Sequence, residues 1–190
     1  MSRKKIFPVE ELSGDSRAIF EALNEESALA AVLIGASFLD NCLASMLEAS
    51  FIRSRVTKKL LDPSRGAIGT FSSRSDLARC LGLIDKRTYQ DLEIIGGIRN
   101  LFAHSHLTLD FANQEVISKC NSLKYAEPIL KVMASHYIEG DINDIATPNL
   151  ASPRDRFNIT VALISQKLLV DALGIRRKAK TTKKIGDVVT

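Results

Sequence analysis

The feature that most constrains this chain is its longest apolar run, Ala28 to Leu39, which is ended by Asp40-Asn41. Twelve residues are too few to cross a bilayer, where a helix needs about 20, and too apolar for a solvent-facing surface. The run therefore reads as part of a buried helix. Its apolar positions continue at helical spacing through Leu29, Val32, Ala36, Leu39, Leu43, Met46 and Leu47, which extends the helix to about Ile52. A helix apolar over most of its circumference must be surrounded by other helices, so the pattern predicts a bundle built around it. Composition agrees: 45% of the 190 residues are apolar, only 6% are aromatic, and there is no Trp. An aliphatic core of that kind suits helices better than a sandwich of sheets.

The remaining signals are also helical. Asp15 caps a first helix to about Leu23, and Asn24 caps the central one, with Glu25 and Glu26 in its first turn. Asp62-Pro63-Ser64-Arg65-Gly66 is a turn, and Gly69 keeps the connection irregular. Ser73 and Asp76 form a variant capping box that opens a helix from about Arg74 to Leu81, stopped at Gly82. Asp85 caps the next helix, whose buried stripe is Leu92, Ile95, Ile98 and Phe102 and which ends near His104. Asn113 starts a helix to about Met133, with Pro128 inside it as a kink or break. Residues 139–151 read as loop; Ser152-Pro153 then opens a last helix that should stop at Gly174. Only Leu107 to Phe111 alternates like a strand. The expected organisation is an N-terminal extension (1–14), one helical domain (15–175) and a basic, flexible tail (176–190).

The net charge of +4 is unevenly spread. Residues 6–52 hold eight acids and one base, whereas residues 53–87 hold nine bases and three acids. The tail adds six more bases against Asp187. A confined basic patch is the footprint of a polyanionic partner, and it is equally what a solvated face looks like. On the first reading Arg65, Arg74, Arg79 and Arg87, with Phe71 among them, would contact phosphates with little base readout. No major-groove reader is evident, because the helix after Gly82 is apolar along its stripe and acidic at Asp91 and Glu93.

The candidate chemistry lies in Ile98-Arg99-Asn100-Leu101-Phe102-Ala103-His104-Ser105. On an ideal helix, residues five apart diverge by about 140°, so Arg99 and His104 do not share a face of one continuous helix. Asn100 and His104, four apart, do. Asn100 could fix the tautomer of His104 for proton transfer, and an Arg nearby could stabilise a transferring phosphate. Equally, Arg and His near a helix C-terminus complement its dipole and cap free carbonyls. Other chemistries find no support. His104 and His106 with Asp110 lack a fourth metal ligand, no nucleophile elbow occurs, and Gly96-Gly97 lies within a helix with no lysine after it, where it would permit close helix packing. No cofactor is expected. The three cysteines, Cys42, Cys80 and Cys120, sit in apolar helical patterns and read as reduced and mostly buried, in keeping with a cytoplasmic protein.

Two resemblances accompany these patterns. The Arg99-to-His104 spacing, R-x4-H, resembles the signature of HEPN-superfamily helical domains, many of them metal-independent ribonucleases with a composite dimeric site. A broader one covers residues 24–110. Asn24 to Asp40, Gly69 to Arg74, Leu77 to Ile84, and Tyr89-Gln90-Asp91-Leu92 through His104 resemble, in order, the mannitol operon repressor family. That resemblance implies an all-helical cytoplasmic regulator of sugar-alcohol uptake genes. The combined expectation is an all-α, HEPN-like bundle of about six helices, dimeric through the 27–52 and 86–105 helices. It would repress transcription through a nucleic-acid or regulatory protein partner, without a membrane partner. The alternative is a ribonuclease using Arg99, Asn100 and His104.

Overall fold

A computed structural model describes residues 9–105, 109–129 and 152–186, with backbone alone at 9–11, 13–17 and 177–186. It is an all-α bundle. Among the described residues the elements are α1 (Val9–Glu25), α2 (Ala28–Ser50), α3 (Arg55–Leu60), α4 (Phe71–Cys80), α5 (Lys86–His104), α6 (Gln114–Asn121) and α7 (Pro153–Gly186), and no strand occurs.

As its hydropathy requires, α2 is the centre, packed against α1, α4, α5 and α7. Leu39, Leu43, Met46 and Leu47 are fully buried, each worth about 1.5–3 kcal/mol relative to exposure. Both α2 and α7 are long and apolar enough to span a membrane, but 61% and 50% of those stretches are buried within the bundle, which makes them core helices. The two run parallel: a Cβ at Gly35 would meet Phe157 and Val161 early in α7, while Glu48 pairs with Arg176 late in it at 3.8 Å. Most of α2 is thus covered by helices of its own chain, with Leu29 and Ser37 left exposed.

Half of the expected helix starts hold, and the exceptions are informative. Asp85 accepts the Thr88 amide at 2.8 Å and Asn113 those of Glu115 and Val116, as expected. The cap of α2, however, is Ser27, which accepts from Ala30; Asn24 instead donates to Phe20 O. The box opening α4 is Thr70 with Ser73, three residues earlier than expected. Asp15 lies inside α1, so the expected extension is helical from Val9. Gly82 stops α4 as expected: at φ +68 it closes a Schellman motif, with Gly82 N–H on Arg79 O and Leu83 N–H on Ala78 O. Gly174 does not stop α7, which runs through to Gly186, so the boundary expected at 175/176 falls within a helix. Helix α6 ends at Asn121, well before Pro128; residues 130–151, and Leu107 and Thr108 of the expected strand, lie outside the described residues, while 109–111 form no strand.

Three polar devices join the elements. Arg154 donates to the carbonyls of Leu23, Asn24 and Glu26, and Asn158 to Leu23 O, closing the C-terminus of α1 with the start of α7. Asp91, 1% exposed, accepts the amides of Lys124 and Tyr125 and ties the segment after α6 to α5. Arg74, also 1% exposed, spans α4, α2 and the 61–70 loop.

Candidate functional site

Helix α5 stays regular to its last residue, His104, with the Ser105 amide returning to Leu101 O. The geometric objection to a shared Arg99–His104 face therefore stands within one chain. Both side chains are exposed. Arg99 turns to its neighbour and donates from Nη1 to Asn100 Oδ1 at 2.8 Å. Asn100 and His104 do share a face, and both line an open groove of about 470 Å³ where the C-terminal half of α5 meets α6. Lys119, Glu115 and Asn113 line it from the α6 side. Gly97 leaves room for Lys119, whose Nζ would lie 3.6 Å from a Cβ placed there. Lys119 in turn faces Glu115 at 4.0 Å, so the groove is polar and near balance in charge rather than strongly basic. Arg99 does not line it. Sequence reasoning found Asn100 and His104 but not Lys119, whose helix carried no motif.

The four proposed phosphate ligands divide. Arg65, Arg79 and Arg87 are exposed. Arg79 spends Nη1 on Ile84 O at 3.2 Å, bracing the α4–α5 turn. Arg65 lies in the loop before α4 and Arg79 in its last turn, so the helix separates them. Arg74 is a correction. Its Nη1 meets Asp40 Oδ1 at 2.6 Å, Nη2 meets Leu61 O at 3.0 Å and Nε meets Ile68 O at 3.2 Å. With each of its three nitrogens engaged and only 1% exposed, this guanidinium is out of reach of a phosphate. The loop it holds is tight: a Cβ at Gly66 would fall 2.2 Å from Leu60 O, which only glycine avoids.

Cys42 and Cys120 are buried as expected, and burial pushes both thiols up to about 12; Cys80, by contrast, is exposed. No group of three or more potential metal ligands occurs among the described residues. A second cavity of about 400 Å³, between α1, α2 and α7, is lined by Phe20, Leu23, Phe38, Val161 and Leu169 among others. Its polar side chains are Ser165 and Gln166, and no titratable group lines it among the described residues.

No protein-family model matches the chain, and no curated protein does. Solved structures do. The X-ray structure of the MtlR–HPr complex from Escherichia coli matches with a TM-score of 0.60 at 17% identity, covering 82% of this chain and 98% of that one. A possible transcriptional regulator, YggD, from Shigella flexneri matches at 0.59 and 14%, covering 82% and 95%. The fold is therefore that of an MtlR-like helical bundle. At these identities the likeness is one of fold.

Proposed function

We propose that this chain is a transcriptional regulator of the mannitol operon repressor type, acting in the cytoplasm by binding a partner rather than by catalysis. The observation that carries the reading is the fold likeness over 82% of the chain to MtlR, a protein solved in complex with HPr, and to a possible transcriptional regulator. Direct reading of DNA bases has little support, since the stripe of α5 (Leu92, Ile95, Ile98, Phe102) is buried in the core. A protein partner is the better-supported target, and the MtlR–HPr complex suggests the first one to try.

The test is titration of purified HPr from the same organism into the chain by calorimetry. Saturable binding supports a protein-partnered regulator. Absence of binding by folded protein, with shift of a promoter fragment instead, moves the reading to a nucleic-acid-bound repressor.

A second reading, the HEPN-type ribonuclease, is favoured by one observation: Asn100 and His104 share an exposed groove with Lys119, a cation able to contact a phosphate. Arg99 would then have to come from a second subunit. Metal-free cleavage of a mixed RNA pool that disappears in His104→Ala would establish this reading. No cleavage by either protein would leave the motif a surface feature.

A further inference from the structure

The start of the 53–87 basic segment and the basic tail, more than a hundred residues apart in sequence, lie toward the same end of the fold. Helices α2 and α7 run parallel, and the Arg176–Glu48 pair sets the late part of α7 beside the last turn of α2. From there α7 continues ten residues to Gly186, about 15 Å of helix, and its 177–184 stretch holds five more cations. At the same end the chain leaves α2 through Phe51 and enters α3.

This α2–α3 knuckle is rigid and oddly furnished. Thr57, buried, donates from Oγ1 to Ile52 O at 2.6 Å, and Ser54 caps α3 by accepting the Thr57 amide at 3.1 Å. Phe51 packs on the core at one end and Leu61 is buried at the other, where its carbonyl is held by Arg74. The knuckle so fixed presents Ile52 at 86% exposure and Val56 at 63%, the most exposed large apolar residues described. Between and after them stand Arg53, Arg55, Lys58 and Lys59, all exposed. No acid occurs from residue 49 to 61, and none of these four cations forms an ion pair among the described residues.

We infer that this end of the bundle docks peripherally on an anionic lipid surface. Ile52 and Val56 enter the headgroup boundary while the four knuckle cations contact lipid phosphates. Aliphatic tips ringed by Lys and Arg are the chemistry of an anionic bilayer surface. The segment fits nucleic acid less well: its cations could hold phosphates, but residues 52–60 contain no aromatic to stack on bases, and a phosphate backbone offers nothing to the exposed Ile52 and Val56. It fits a second copy poorly as well, because like charges would face each other. The absence of a membrane partner, expected from the lack of a spanning segment, does not bear on peripheral contact. The inference is independent of which regulatory partner the chain has.

The test is co-sedimentation of the full chain with vesicles of phosphatidylcholine alone, or with a third of phosphatidylglycerol. Wild type should bind the anionic vesicles only, more weakly as salt rises. The Ile52→Ser/Val56→Ser double variant should bind roughly tenfold less. Replacing Arg53, Arg55, Lys58 and Lys59 by Gln should weaken binding by roughly a hundredfold or more. Every substituted side chain is exposed, and an unchanged Tm confirms that the variants fold. Absence of binding to anionic vesicles overturns the proposal. So does binding indifferent to Ile52 and Val56; if duplex DNA of random sequence then competes for the same cations, the surface is a nucleic-acid site.

Discussion

Arg74 and Arg99 look alike in the sequence: each sits near the end of a helix, close to groups that suit a nucleic-acid site. In the fold they have little in common. Arg74 is sealed between three elements and satisfies a carboxylate and two carbonyls, whereas Arg99 is exposed with its neighbour's amide 2.8 Å away. The difference teaches that a guanidinium's task follows from how many acceptors the fold brings to it. The first can be removed only at the expense of the structure; the second is free for function.

That contrast can be tested by substitution, beginning with the largest effect. Arg74→Ala strands the Asp40 carboxylate and two loop carbonyls, and should cost about 3 kcal/mol, read as a Tm drop of roughly 6–12 °C. Arg74→Lys should recover less than half of it, because an ammonium cannot span acceptors on three elements. Loss of under 1 kcal/mol in Arg74→Ala would erase the distinction. Asp91→Ala orphans two amides near α5 and should cost about 2 kcal/mol by urea denaturation.

Asp85→Ala removes an exposed cap and should cost about 1 kcal/mol. The two aspartates should also differ in pH response. The Thr88 amide, foremost, holds the Asp85 carboxyl below its ordinary 3.8, so its stabilisation is present above that pH and is lost as pH falls below it. The gap between wild type and Asp85→Ala should therefore close in acid. Burial, outweighing the amides of Tyr125 and Lys124, raises the Asp91 carboxyl, so its titration favours the fold at low pH and this contribution is lost as pH rises through the folded value. Smallest of all, Arg99→Ala should change Tm within about 1 °C, as surface substitutions do, and any phenotype it shows would then be functional.

How much of this was legible in the sequence depends on range. Period and caps act within a few residues, so the central helix, the Asp85 and Asn113 caps, the Gly82 stop and the α5 stripe could all be read locally. Gly174 has the residue type of a stop, but its backbone continues as helix; the other failures are tertiary. The Asp40 that pairs with Arg74 lies 34 positions away, and no local pattern links them. Asn100 and His104 were found together because four residues is a helical neighbourhood. Lys119 was missed because only the packing of α6 brings it to them.

The placement of the three cysteines gives the molecule a ready attachment point. With Cys42 and Cys120 buried and their thiols at about 12, and Cys80 exposed in the last turn of α4, a maleimide dye at neutral pH should modify one thiol per native chain and three after denaturation. A fluorophore would thus settle at a single known position of the wild-type protein, with no engineering. Partner titrations and vesicle encounters could then be followed by distance from Cys80, on the same sample.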